Sequence, residues 1–320
     1  MTPQDRILFA KGIDELQQLA EKFRTSEEFK KMLKFVARFH YLAPYNAYLV
    51  QLQRPGASLV LNIRRWRQYG WRPTINAQNL ITLIPFGPIE CMYEVSDVEK
   101  IPDMPNTPTD DILKDLQKGL NVAKGEVNPK EWFNLLFNLT QYGIRIDLNF
   151  NASNAYGGYI MCDDGDHDLL VAIDSQQGWL SYKSAFFISV NRDQNQASQF
   201  HTVCHELGHL FCHHLSYSHW RAPTLNQEEF EAETVAWLVC KRHGVDNPSE
   251  EYLASYMKDG LVPLCSVDSI MRSVTEIEKM LKRPLMAKQT LRYKEDEEFK
   301  QEVDEKTHQL QLKRKSHGAR

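Results

Sequence analysis

Paired cysteines are missing from this chain. Cys91, Cys162, Cys204, Cys212, Cys240 and Cys265 are widely spaced and form no Cys-x-x-Cys pair. That excludes a zinc ribbon and a disulfide framework. Several lie in apolar helical surroundings, where cysteine is a small buried hydrophobe. They read as reduced thiols, and the expected location is cytoplasmic. No uninterrupted apolar run is long enough to span a membrane. Asp5 and Arg6 precede a short amphipathic stretch where a secretory signal would need an apolar core. A net charge of -4 on 320 residues singles out no partner. Acidic residues are absent between residues 29 and 89. That interval instead holds Lys30, Lys31, Lys34, Arg38, Arg54, Arg64, Arg65, Arg67 and Arg72, interleaved with aromatic residues. Basic groups contact phosphates, and aromatic faces stack on unpaired bases at about 1–3 kcal/mol each. One expectation is a surface for single-stranded nucleic acid, carried by Arg64, Arg65, Trp66, Arg67, Trp71 and Arg72. The other is a mixed α/β region whose aromatics are core and whose basic groups pair with acids elsewhere.

What the chain does contain is His205-Glu206-Leu207-Gly208-His209, inside a segment with helical spacing. Two histidines four apart share one face of a helix and can hold one zinc ion. Glu206 is one step round the same turn, placed to act on a metal-bound water without being a ligand. Zinc lowers the pKa of such a water towards neutrality, and a carboxylate can take its proton. The chemistry expected is hydrolysis, with a peptide bond as the expected substrate. The competing reading is two helical histidines on a polar face. Val203, Leu207, Leu210 and Phe211 give the helix a side to bury. Gly208 costs roughly 1 kcal/mol in a helix, which suggests a tightly packed site.

Catalytic zinc usually keeps three protein ligands, and two histidines with one glutamate is a known set. Residues 227–240 form a second helical pattern, with Phe230, Val235, Leu238 and Val239 as apolar anchors. Glu229 and Glu233 are one turn apart on the same face. Glu229 is assigned as the third ligand, and Glu233 as an acceptor for a ligand histidine's N–H. Glu231 faces roughly the other way and is the alternative ligand. The opposing reading is a solvated acidic face. His201 and His213 extend the histidine spacing and are read as packing or polar-network residues. His213, His214 and His219 are candidates for assisting an oxyanion.

His-Glu-Leu-Gly-His followed by Glu229, Glu231, Ala232, Glu233 and Ala236 resembles the ImmA/IrrE family of zinc metallopeptidases over roughly residues 130–285. The resemblance implies His205 and His209 as ligands, Glu206 as general base and a downstream glutamate as third ligand. Some members of that family cleave repressor proteins.

Along the chain, helices are expected over residues 4–24 and from Ser26, where Phe29, Met32, Leu33, Val36 and Phe39 form an apolar stripe. A short apolar segment follows Pro44. Strands are expected over residues 57–63 and 80–85. Residues 101–110 are proline-rich and read as a linker. Helices are expected from Asp110 or Asp111 and over residues 132–139. Strands are expected over residues 144–149, 159–162, 169–173 and 185–190. Residues 163–168 read as a solvated turn, because the distal ligands of a calcium loop are missing. A short helix over residues 249–257 and a final amphipathic helix anchored by Val267, Ile270, Val274, Ile277 and Leu281 follow. Residues 291–320 read as a charged tail.

Tyr45-Asn46-Ala47, Gln53-Arg54-Pro55-Gly56-Ala57, the Trp66–Arg72 stretch, Pro85-Phe86-Gly87-Pro88 and Tyr93-Glu94-Val95-Ser96-Asp97 are similar, in that order, to the N-terminal domain of ArdC-type antirestriction proteins. That resemblance implies single-stranded DNA binding by a module joined to a zinc-peptidase-like domain. The fold expected is α+β in two domains: residues 1–100 the ArdC-like module, 101–110 the linker and 111–290 a zincin-like peptidase. The function expected is a zinc-dependent intracellular endopeptidase acting on a protein or peptide. The alternative is a single-stranded DNA-binding, antirestriction-type protein with a structural or inactive zinc domain.

Overall fold

The computed structural model describes residues 26–84, 89–117, 125–151, 157–163, 167–174, 178–215, 223–245, 256 and 261–286. The expectations for residues 4–24, the Pro85–Pro88 motif, residues 164–166, His219, nearly all of residues 249–257 and the tail lie outside them. Among the described residues the protein is mixed α+β, with eight α-helices and several small sheets. No helix is long and apolar enough to cross a membrane. Backbone contacts divide the chain into two units that do not follow chain order. Residues 1–127 group with 196–278, and residues 128–195 with 279–320.

In the first unit, α1 (Ser26–Arg38) buries the expected stripe: Phe29, Met32, Leu33, Val36 and Phe39 are at most 2% exposed. Pro44 starts α2 (Pro44–Gln53), where a missing N–H costs nothing. Strand β1 is only Val60–Asn62, shorter than expected. At its end Asn62 stops the strand, because its side chain accepts from the Arg65 backbone N–H at 2.8 Å and caps α3 (Ile63–Gln68), while residues 57–59 at its start lie outside the strand. Then come β2 (Trp71–Pro73), β3 (Leu80–Leu83), β4 (Ile89–Glu94) and β5 (Val98–Lys100). Antiparallel pairing gives one sheet in the order β1-β4-β3 and a second ribbon of β2 with β5.

Strand β3 leaves one edge unpaired by backbone, and two amides of α2 close it. Asn46 exchanges a pair of hydrogen bonds with the main chain of Leu83, both 2.9 Å. Gln53 does the same with Ile81, at 2.7 and 2.8 Å. Seven residues apart, the two amides share a helix face and stand in for a neighbouring strand.

Residues 101–110 are tied down rather than free to link. Ile101 and Thr107 donate their backbone N–H to the carbonyls of Gly70 and Tyr69, each at 2.9 Å. Gly70 has a φ of +80°, and a Cβ there would lie 2.2 Å from the Pro105 carbonyl oxygen. Only glycine fits both demands. Helix α4 (Thr109–Gln117) follows, and Ile112 joins Leu59, Leu61 and Trp66 in one buried cluster.

Three further helices complete this unit: α6 (Gln196–Phe211), α7 (Leu225–Arg242) and most of α8 (Val267–Lys282). Before α6 the chain runs through the second unit. There, α5 (Pro129–Gln141) is capped by Asn128, and β6 (Ile144–Phe150), β7 (Gly158–Cys162) and β10 (Phe186–Asn191) form a sheet in the order β6-β10-β7. Strand β10 runs parallel to β6 and antiparallel to β7. The hairpin of β8 (Asp168–Asp174) and β9 (Gly178–Lys183) buries Leu169, Val171 and Tyr182. Buried Asn138 donates to the carbonyls of Met280 and Arg283 at 2.7 and 2.8 Å, satisfying groups that the end of α8 would otherwise leave bare.

Arg242, at the end of α7 and 2% exposed, ties the first unit's helices together. Its Nη1 donates to the carbonyl of Val36 at 2.8 Å, and its Nη2 to that of Leu42 at 2.8 Å, closing the C-terminal end of α1. Its Nε donates to Glu278 of α8 at 2.5 Å. A buried charge is tolerable only when paired and hydrogen-bonded, and this one is both. Burial pushes the Glu278 carboxyl up, but His243 and Arg242 outweigh it and hold the pKa down at about 2. A depressed carboxylate stabilises the fold above its unfolded pKa of 4.5 and loses that contribution as pH falls towards 2. In thermal melts, Glu278→Gln should be less stable than wild type by about 3 kcal/mol at pH 6. The gap should close between pH 4.5 and 2; a gap independent of pH would contradict the ion pair.

Candidate metal centre

Helices α6 and α7 meet where neither has bulk. A Cβ on Gly208 would lie 2.9 Å from the Ala232 Cα and 3.1 Å from its carbonyl oxygen. The start of α7 is set by a capping box: the Thr224 hydroxyl accepts from the Gln227 N–H at 3.4 Å, and the Gln227 side chain accepts from the Thr224 N–H at 2.7 Å. With both ends of the register held, Glu229 and Glu233 face the histidines of α6.

The structure brings His205, His209 and Glu229 together. The two Nε2 atoms are 3.1 Å apart. Glu229 oxygens lie 3.5 Å from the His205 Nε2 and 3.6 Å from the His209 Nε2. Three donors each about 2.0–2.1 Å from a tetrahedral zinc would be separated by about 3.3 Å. The edge between the imidazoles is slightly shorter than that, each imidazole is slightly farther than that from its own nearer oxygen of Glu229, and one ligand atom from each residue lies within 4.8 Å of the others, so this donor set fits a divalent cation.

The other face of each imidazole is also engaged. His205 Nδ1 is 3.1 Å from Glu233 Oε2, so an N–H sits on that side and Nε2 is the nitrogen left for a metal. Glu233 also takes His201 Nε2 at 3.2 Å, which gives His201 a network role and leaves it outside the donor set. Glu231, the alternative ligand, points elsewhere. It is fully buried, accepts from the Ser266 N–H at 2.7 Å, and pairs with His214 Nε2 at 3.0 Å. Glu206 is 6% exposed, and its charge acts on His205. His213 is exposed at the end of α6.

Electrostatics favour a cation here. Burial pulls the His205 pKa down, but hydrogen bonds to Glu229 and Glu233 raise it to about 10. His205 and His209 hold Glu229 well below the usual carboxylate range. Burial raises Glu233, and His201 and His205 outweigh it. Without a metal ion the centre gathers protons, which a metal would have to displace.

The segment expected to bind nucleic acid is built differently from that expectation. Trp66 is fully buried and donates its indole N–H to the Tyr93 carbonyl at 2.9 Å, so its faces cannot stack on a base. Trp71 donates to the Thr107 carbonyl at 2.8 Å and packs on the same cluster. Arg72 pairs with Glu99 at 2.8 Å. Arg54 pairs with Asp97 and reaches Ser96 at 2.7 Å. Arg64 and Arg67 are exposed, and Arg65 is half-buried. Two basic residues of the acid-free interval, Arg54 and Arg72, thus find acids at residues 94–99.

No protein-family model matches the sequence, and no curated protein matches it significantly. Two solved structures of the antirestriction protein ArdC from plasmid R388 are remotely similar. The metal-free form has a TM-score of 0.30 at 12% identity, and the Mn(II)-bound form 0.31 at 11%. Each comparison covers 75% of this chain and 81% of the other. Similarity this remote leaves the functional reading to the chain's own residues.

His214 is the residue that sequence reasoning missed, having placed it only among oxyanion candidates. Its position depends on how the chain reverses after α6, which no local pattern signals. Gly208→Ala should gain about 1 kcal/mol of helix propensity and lose more, about 1–3 kcal/mol, by forcing two backbones apart. The variant should melt lower and bind zinc more weakly; wild-type values for both would remove the close contact from the account of the site.

Proposed function

We propose that this protein is a zinc-dependent endopeptidase acting on a protein or peptide substrate. The observation that carries the reading is the convergence of two histidine Nε2 lone pairs and the Glu229 carboxylate on one point. The residues concerned are the ones that carry the resemblance to the ImmA/IrrE peptidases. His205, His209 and Glu229 would hold the ion. A zinc ion bound there supplies Lewis acidity towards a peptide carbonyl and makes water more acidic.

The chain's own residues supply the rest. Glu233 holds His205 in the tautomer that ligation needs. Glu206, next in sequence to a ligand and almost wholly buried, is the proton carrier. Its carboxylate takes a proton from the attacking water and returns it to the amine nitrogen as the peptide bond breaks. The aromatics of residues 66–71 serve packing, so the proposal is confined to the metal centre.

Purified wild type should carry about one equivalent of zinc, and His205→Ala or His209→Ala should carry little. Glu206→Gln should keep the metal and lose hydrolysis by a factor of 100 or more, in line with the usual contribution of general acid–base groups, about 10²–10⁴. Proteomics of cells expressing wild type against Glu206→Gln should show new protein termini only with wild type. Identical termini in both would defeat the peptidase reading, and metal loss in Glu206→Gln would defeat the assignment of Glu206 as base.

A further inference from the structure

His209 has its second nitrogen on a histidine where His205 has a carboxylate. His209 Nδ1 is 3.0 Å from His214 Nδ1. On the far side of its ring, His214 Nε2 is 3.0 Å from Glu231 Oε2. The His214 side chain is 2% exposed and that of Glu231 is fully buried, so water does not compete for these bonds. We infer that Glu231 and His214 form a two-step positioning relay that fixes His209 with its proton on Nδ1 and its lone pair on Nε2, ready for a metal.

Proton counting supports that direction. The Glu231 carboxylate accepts the Ser266 N–H on one oxygen and faces His214 Nε2 with the other, so His214 carries its proton on Nε2. For His209 to offer its Nε2 lone pair to a metal its proton must sit on Nδ1, and His214 Nδ1, 3.0 Å away and held from behind by Glu231, is the atom placed to accept it. That is the same tautomer Glu233 imposes on His205 directly.

The chain is shaped for this contact. The end of α6 is a Schellman turn: the His214 N–H bonds the His209 carbonyl at 3.0 Å, and the His213 N–H bonds that of Leu210 at 3.1 Å. His213 occupies the left-handed region, with φ of 66°, where glycine is the usual residue. The reversal folds His214 back over the last turn of α6, against His209. Cys212, His214 and Glu231 also offer three ligand atoms within 4.8 Å of one another. Each of them already has a partner: Cys212 Sγ lies 3.3 Å from the Ser273 hydroxyl, and the relay takes up His214 and Glu231.

The inference rests on the metal reading, and the test separates the two. Zinc binding is measured by competition with a chromophoric chelator, and the His209 tautomer by nitrogen-15 NMR of the metal-free protein at a pH alkaline enough for the centre to have lost its extra protons. If wild type binds no zinc, the metal reading fails. Given binding, His214→Phe should weaken it about 10–100-fold, as loss of an outer partner usually does. It should also leave His209 as a mixture of tautomers. His214→Asn puts an amide oxygen near the position of Nδ1 and should recover most of the affinity and a single tautomer. Wild-type affinity in His214→Phe, no recovery in His214→Asn, or two zinc ions per wild-type chain would each overturn the relay.

Discussion

The centre depends on the close approach of α6 and α7 at Gly208 and Ala232. Side-chain reach sets the requirement. The nearer the two backbones stand, the less an imidazole and a carboxylate from facing helices must extend to share an ion. With 2.9 Å between an ideal Gly208 Cβ and the Ala232 Cα, no methyl group fits at that contact. Gly208 is unfavourable for helix formation taken alone. Its use here is tertiary: helix propensity is given up for proximity, and proximity is what places Glu229 within 3.6 Å of both ligand nitrogens.

Around that contact the acids are divided by role. Three glutamates occupy five consecutive positions of α7, and each has a different task. Glu229 faces the two Nε2 atoms, Glu233 faces the His205 Nδ1, and Glu231 anchors His214 from the opposite side. Helical rotation of about 100° per residue is enough to separate Glu231 from the other two. Both histidines are thereby presented in one tautomer, one by a carboxylate directly and one through a second imidazole.

The N-terminal segment contributes to the same unit in a structural capacity. Arg242, at the end of α7, closes the end of α1, and Glu278 balances its charge. Asn46, Gln53 and Arg54 lie in the stretches that carry the ArdC-like resemblance. Here they seal the edge of β3 and pair with residues 96 and 97. A basic interval with no acids of its own looks like a surface for polyanions when read in isolation. Folding supplies acids from residues 94–99 to Arg54 and Arg72, Trp66 goes to the core and Trp71 packs against it.

Whatever depends on local period was legible in the order of amino acids. Histidines four apart share a helix face, the stripe of α1 is buried, Gly208 signals tight packing, and Glu229 and Glu233 point the same way. Caps were less legible: Asn62 ended β1 earlier than its apolar pattern suggested, and β9 had no local signal strong enough to name it. Only the tertiary structure decided which glutamate meets the histidines, because that follows from the height at which α7 crosses α6. It also decided that residues 101–110 are bonded in place and that His214 backs His209. Those outcomes rest on contacts between residues far apart in the chain or on one left-handed residue. Neither leaves a periodic trace in the order of amino acids.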